Sequence, residues 1–487
     1  MAERREILNY VTAKLAEAPV LAREKTQEEN QSLGYRRGFF RLKKYASDFL
    51  LGEKLGNIEN RIIVLPGLRG VGKTTTALQI YKYLTLSKNI EQERVLYFSA
   101  DELKDYLGAK ISEVIKVYVE DILKTSLVNL DKEIFILIDE AHFDKDWSTS
   151  SKVVYDQTKR AFILLTGSSA LSMEMGIDLA RRAKKEIMFP LNFSEYLILR
   201  HNIFPPKSTA ESIRELIFNP SGDSLKYAAG KWDKIKRKTL ALGRPIEKQF
   251  EYFMTSSGFP FSMKLNEKNA YERIFGMIDR VVERDMFTIK SFNTGTRNII
   301  TRILYYLALQ KPGGTSDVKL AERTGTSSKL VRDILDVLEK THLVFSIKPY
   351  GGAGKVVRKP WKYYFLSPCI NAAIRFKLGV YDMKNRDMLG LFAESLVASY
   401  FLRMKETVNL PTGIFYDPSE GGVDFLMQRG IDEIIPVEVS IGKKGKGQVL
   451  KAIIKYKSKH GIVISNVDRI SFENNVVNIP ITLFSFV

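Results

Sequence analysis

The chain is poor in the residues that build covalent or thiolate frameworks, with one cysteine, Cys369, among 487 residues. A single thiol excludes an internal disulfide and a cysteine-based zinc cage. Histidine is almost as sparse: His142, His201, His342 and His460 are scattered, so a histidine-rich metal centre is not expected. Long hydrophobic runs are missing too. Stretches such as Ile134–Ile138 fall far short of membrane-spanning length, and Met1-Ala2-Glu3-Arg4-Arg5 leads into a mixed amphipathic segment instead of a signal-peptide core. The expectation is a cytoplasmic protein with no membrane partner.

Positive charge, by contrast, is abundant. Lysine and arginine number 75 against 56 acids, a formal charge of +19. Such an excess favours a polyanionic partner, nucleic acid first, because neutralised phosphates release counterions. The bland alternative is lysine spread over a solvated surface. The length exceeds what one hydrophobic core usually supports, so two to four domains are expected.

Residues 1–60 read as helices with a basic stretch, Arg36 to Lys44, between them. From Arg61 short apolar runs alternate with helical stretches, the pattern of a parallel α/β sheet. The runs are Ile62–Leu65, Val95–Ser99, Ile134–Asp139, Phe162–Thr166 and Glu186–Phe189, and their unbroken apolar character predicts strands buried on both faces. A helical region follows to about residue 300. Next come helices over Ser316–Arg323 and Ser328–Lys340, with Val331, Ile334, Leu335 and Leu338 on one face of the second. Strand-like Leu343–Lys348 and Lys362–Leu366 flank a Gly351-Gly352-Ala353-Gly354 tip, which completes the pattern of a winged helix. A final domain opens with a helix over Gly390–Met404 and continues with strands at Gly422–Gln428 and Ile434–Ile441.

Gly67, Leu68, Arg69, Gly70, Val71, Gly72, Lys73 and Thr74 match the phosphate-binding loop pattern in full, with Thr75 next in the helix that follows. A strand precedes the loop and a helix, roughly Thr74–Leu84, follows it. Glycines let backbone N–H groups turn toward phosphates, and the helix N-terminus adds its positive dipole end. Lys73 can reach the β- and γ-phosphates, and the Thr74 hydroxyl can ligate Mg²⁺. The run Ile134 to Glu140 predicts a strand adjacent to the loop strand, delivering Asp139 to the Mg²⁺ sphere and Glu140 to the attacking water. Thr166, at the end of the next run (Thr166-Gly167-Ser168-Ser169), is expected near the γ-phosphate as a sensor of hydrolysis. No guanine-reading Asn-Lys-x-Asp run occurs, so ATP is the expected nucleotide. Asp139-Glu140-Ala141-His142 also spells a helicase-box tetrapeptide, which its surroundings do not support.

The loop, the run Asp139 to Trp147, Leu165-Thr-Gly-Ser-Ser169 and Phe189-Pro-Leu-Asn-Phe-Ser-Glu195-Tyr together resemble an AAA+-type ATPase family common in archaea and bacteria. The likeness continues through Gly258-Phe-Pro260, Arg284-Asp285 and Lys359 to Phe365. It implies an ATPase core with its N-terminal helices (residues 1–192), a helical lid (193–300), a winged helix (301–380) and a restriction-endonuclease-like domain (381–487). It also implies a homo-oligomer, a hexameric ring being one arrangement. Arg181 or Arg182 would stabilise phosphoryl charge at a neighbouring subunit. In the last domain Glu394, Asp424 and Glu438 resemble the Mg²⁺-holding acids of the PD-(D/E)XK nuclease core. Ser440 stands where that core has its lysine, and Lys443 and Lys444 follow, so little DNA cutting is expected. Lys329 and Arg332 on the second winged-helix element, with Lys355 and Arg358 at the wing, are candidate DNA contacts.

The leading expectation is an ATP- and Mg²⁺-using machine that binds or remodels DNA. The alternatives are a signalling or defence switch with slow turnover, an ATP-dependent DNA nuclease, and a structural DNA-binding protein with a vestigial ATPase.

Overall fold

The computed structural model describes the chain except for residues 1, 2, 30, 56–59, 169–174, 294, 312, 353–358, 409–411, 431 and 442–445. Ser169, Lys355, Arg358, Lys443 and Lys444, and Ala353 and Gly354 of the wing tip, therefore lie outside the described residues. The described residues fall into two compact units, Met1–Met188 and Phe189–Val487.

In the first unit five strands form one parallel sheet: β1 (Ile62–Pro66), β2 (Val95–Ser99), β3 (Ile134–Asp139), β4 (Ala161–Gly167) and β5 (Ala183–Lys185). Every residue of β1, β3 and β4 is buried, as their unbroken apolar sequences require of strands covered on both faces. The helix Arg4–Thr26 adds Ile7 and Val11 to the core on one face of this sheet. The strand order is β2-β3-β4-β1-β5. This corrects the expected adjacency of the Asp139 strand and the loop strand, because β4, which ends in Thr166 and Gly167, lies between them.

Two local expectations also shift. The basic stretch Arg36–Lys44 runs into the helix Arg37–Leu55, where Phe39, Leu42, Ala46 and Phe49 bury an apolar face, so most of it is not a linker between helices. The last strand begins at Ala183, before the apolar run, since Lys184 and Lys185 pair with Ile63 and Val64. Glu186 and Met188 continue the contact only through their N–H groups, which donate to Val64 and Pro66 carbonyls at 2.9 and 2.8 Å.

The second unit opens with helices from Phe193 onward and contains a nine-stranded mixed sheet. The helix Ser328–Lys340 starts where Ser327 accepts the Leu330 N–H at 3.2 Å, and it buries Val331, Ile334, Leu335, Val337 and Leu338. The hairpin that follows is β7 (Val344–Pro349) and β8 (Trp361–Phe365), with β6 (Gly314–Thr315) on its outer edge. Beyond it come β9 (Thr412–Tyr416), β10 (Phe425–Arg429), β11 (Glu433–Ser440), β12 (Gly461–Ser465), β13 (Ser471–Glu473) and β14 (Val476–Pro480). The sheet runs β13-β14-β12-β11-β10-β9-β7-β8-β6. Hairpin and C-terminal strands are thus one sheet, joined where Phe415 and Tyr416 of β9 pair in parallel with Lys348 and Pro349 of β7.

Removing a buried side chain from the Ser328–Lys340 helix tests this packing. Leu335→Ala should lower the unfolding free energy by about 2–5 kcal/mol in denaturant titration. Lys329→Ala on the exposed face should change it by less than about 0.5 kcal/mol.

Candidate nucleotide site

The loop after β1 is shaped by its glycines. Gly70 and Gly72 take φ of 83° and 95°, a region that side chains resist, and Gly72 leads directly into the helix Lys73–Lys82. Gly67 is needed for a different reason: a Cβ there would stand 2.4 Å from the Met188 carbonyl oxygen. Leu68 and Val71 anchor the loop with fully buried side chains. Gly67 N–H donates to the Gly167 carbonyl at 3.1 Å, extending the β1–β4 ladder into the loop. Arg36 braces the far side, its guanidinium donating to the Val71 carbonyl. Lys73 is buried, and its ammonium donates to the Gly67 and Leu68 carbonyls at 2.9 and 3.3 Å.

Asp139 ends β3 as a buried carboxylate, and hydroxyls from three other elements converge on it. Thr74, in the helix after the loop, donates to Oδ2 at 2.7 Å. Tyr97 of β2 donates to the same oxygen at 3.2 Å. Thr166 of β4 donates to Oδ1. Burial, with the Asp139 charge beside it, pushes the Tyr97 hydroxyl far above its ordinary pKa, so it remains a donor. Thr74 and Asp139 thus stand together as the hard oxygen donors that suit Mg²⁺, at the end of the glycine loop.

Glu140 follows in left-handed backbone, φ 49° and ψ 39°, unusual for a residue with a long side chain. Its N–H donates to Asp139 Oδ1 at 3.2 Å and to the Thr166 hydroxyl at 3.4 Å. Its Oε2 lies 3.4 Å from Nδ1 of buried His142, and that nitrogen accepts the Ser168 N–H at 3.4 Å. His142 therefore stands between the acid after β3 and the end of β4. Thr75 is half-buried in the first helical turn, and Arg69 is half-buried on the loop. Arg182 is drawn to Asp156 at 3.2 Å and to the Asp178 carbonyl at 2.7 Å, whereas neighbouring Arg181 is exposed.

Tyr97, His142 and Arg36 are the side chains that the motif-based reading did not assign to the site. Tyr97 is the only residue with a polar tip inside the apolar part of β2, a signal in its favour. Nothing in the neighbouring sequence points to the contacts of the other two.

In the second unit, Glu394, on the helix Arg386–Val408, is brought near Asp424, just before β10, and Glu438 of β11. Asp424 N–H donates to Glu438 Oε2 at 3.3 Å, and Asp424 Oδ2 accepts the Val439 N–H at 2.8 Å. Tyr364 donates to Glu394 Oε1 at 2.7 Å. A lysine does reach these acids, but from β8: Lys362 Nζ lies 3.6 Å from Glu394 Oε1, while Ser440 ends β11. Among the described residues, no three His, Cys, Asp or Glu side chains stand in a metal-holding arrangement. Burial, then the Asp424 charge, pushes Glu394 up to about 7 and Glu438 up to about 8. Lys329 is exposed, and exposed Arg332 pairs with Asp317 at 3.1 Å. Among the described residues no helix is long and apolar enough to cross a membrane.

A parallel sheet with a glycine loop after its β1 strand and an acid pair at the end of β3 defines a P-loop domain of the AAA class, and a family model described as an AAA domain matches residues 59–197. The chain belongs to the same family as "Uncharacterized protein MJ1637" of Methanocaldococcus jannaschii, to which it is 32% identical over 479 residues, 98% of this chain and 93% of the relative. An uncharacterized protein of Haemophilus influenzae is 24% identical over 78% of this chain and 82% of its own length. Residues 247–380 match a model described as a domain of unknown function. Among solved structures, the Aeropyrum pernix ORC1 protein in complex with DNA is similar at 13% identity and a TM-score of 0.34. That match covers 73% of this chain and 96% of that one, a likeness too slight to speak of function.

Gly67→Ala should weaken adenine nucleotide uptake by about tenfold or more in calorimetric titration, because the loop must retreat from Met188. The acids of the second unit predict a pH effect. Their folded pKa values lie above the unfolded ones, so the stability they contribute is present at low pH and lost as pH rises through about 7 to 8. The melting temperature should therefore fall between about pH 5 and about pH 8, and Glu438→Gln should flatten that slope; an unchanged slope contradicts the assignment.

Proposed function

We propose that the chain binds ATP with Mg²⁺, hydrolyses it and couples turnover to DNA. The observation that carries this reading is that Thr74, next to Lys73 at the end of the glycine loop, donates to Asp139, which two further hydroxyls also hold and which Glu140 follows. Thr74 and Asp139 would hold the metal, which supplies charge neutralisation at the β- and γ-phosphates. The loop N–H groups and Lys73 bind and orient the phosphates. Glu140 accepts a proton from, or orients, the attacking water, and Thr166 ties the position of Asp139 to the end of β4.

In this reading Arg181, exposed on the surface, serves a neighbouring protomer's phosphates in a homo-oligomer, and Arg182 supports the helix end. The region after Phe193 acts as lid, winged helix and nuclease-like domain. The last of these binds DNA without efficient cleavage, because its acids lack a lysine at Ser440 and hold protons near neutral pH. The charge of +19 supports a polyanionic partner, with Lys329 and Arg332 as contacts on the winged helix.

The test is the steady-state ATPase rate with no DNA, duplex and single strands. Wild type should turn over and be stimulated by at least one DNA form. Glu140→Gln should keep nucleotide affinity while kcat falls by about 10²-fold or more. Tight nucleotide retention with negligible turnover would instead favour a switch.

A further inference from the structure

The helix Gly222–Thr239 has no role in the nucleotide site or the winged helix, yet it carries a dense run of positive charge. Six basic side chains (Lys226, Lys231, Lys234, Lys236, Arg237 and Lys238) face only Asp223 and Asp233 over 18 residues. The buried face is Ala228, Trp232, Ile235 and Thr239, at helical spacing. Opposite it, Lys226, Lys234, Arg237 and Lys238 are exposed, and so is Tyr227, at 51%.

Helix stability explains only part of this. Lys236, Arg237 and Lys238 sit in the last turn, where cations offset the helix dipole. Lys226, Lys231 and Lys234 lie further back, where that effect has faded. Internal neutralisation is also slight: Lys236 pairs with Asp233 at 3.1 Å, but Lys231 and Lys238 bond only to the carbonyls of Lys207 and Phe204, which leaves their charge intact. Lys231 also lies over the Tyr227 ring at 4.6 Å.

A glycine sits in the middle of the charged ridge. Gly230 faces the same side as Lys226, Lys234 and Arg237, and a Cβ there would meet nothing within 4 Å. Packing does not demand this glycine, and helix propensity disfavours it. It leaves a bare step between cations on which a polyanion backbone can lie close. The separation fits as well: Lys226 and Lys234 are about 12 Å apart along the axis, comparable to the ~12 Å width of a DNA major groove. The Trp232 indole N–H donates to the Asp468 carbonyl at 3.0 Å, which pins the helix to the segment carrying exposed Arg469.

We propose that the exposed face of this helix, centred on Lys226, Lys234 and Arg237, docks the phosphate backbone of duplex DNA without reading bases. The proposal rests on the reading that DNA is this protein's polyanion, and adds a surface separate from Lys329 and Arg332. Ammonium and guanidinium groups across a groove meet both phosphate rims, and Tyr227 supplies a flat hydrogen-bonding edge.

The test uses the full chain and a fluorescent mixed-sequence duplex, with anisotropy followed over a series of KCl concentrations. The variant combines Lys226→Gln, Lys234→Gln and Arg237→Gln, and an unchanged melting temperature shows that it folds. Affinity should fall by about tenfold or more, and the slope of log affinity against log salt should drop by about three. Basal ATPase rate should stay as in wild type. Wild-type binding with an unchanged triple variant would overturn this proposal while leaving the ATPase and DNA reading standing. Failure of wild type to bind any DNA would overturn both. Loss of binding to phosphatidylserine vesicles in the variant, with DNA binding intact, would assign the face to a membrane and overturn it as well.

Discussion

The first unit depends on a buried carboxylate being satisfied. An ionised acid removed from water is costly unless hydrogen bonds replace its hydration. Asp139 obtains them from Thr74, Tyr97 and Thr166, three hydroxyls carried by the helix after the loop, β2 and β4. Those donors reach one point only when the strands are in register and the loop has closed. The same constraint gathers the oxygens that suit a hard divalent ion. Fold and site are therefore one requirement, met or lost together.

The acids of the second unit obey opposite physics. Burial raises the proton affinity of Glu394, Asp424 and Glu438, the Asp424 charge raises it further at both glutamates, and the Lys362 ammonium opposes the rise. Hydroxyl donors converge on Asp139, whereas burial, and then the Asp424 charge, favours protons on Glu394 and Glu438. The position of Lys362 on β8 follows from the joining of hairpin and C-terminal strands through β7 and β9. An ammonium thereby reaches Glu394 from a distant segment, while the position that Ser440 holds on β11 carries none.

Much of this was legible in the amino-acid order, and the gaps have physical causes. The loop, β1, β3 and β4 could be read because glycine spacing and unbroken apolar runs are local signals. Strand order could not: nothing in Ile134–Asp139 says that β4 separates it from β1, since parallel neighbours are chosen by packing over long sequence distances. The β5 strand starts early because Lys184 and Lys185 at a sheet edge pair by backbone alone. Strands β12 and β14 are five-residue runs buried along their whole length, so they carry no in-and-out alternation to mark them as strands. Tyr97, His142 and Lys362 belong to their sites through contacts spanning strands, which periodicity does not encode. The cations of Gly222–Thr239 were visible in the sequence, but their shared exposed face emerges only once Trp232 and Ile235 define the buried one.

The most direct test of the central claim is calorimetric titration of ATP into wild type and Asp139→Asn, with and without Mg²⁺. The account predicts tight uptake that strengthens when the metal is added, and loss of that strengthening in Asp139→Asn. Equal binding in both proteins with and without Mg²⁺, or no uptake by wild type, would contradict it.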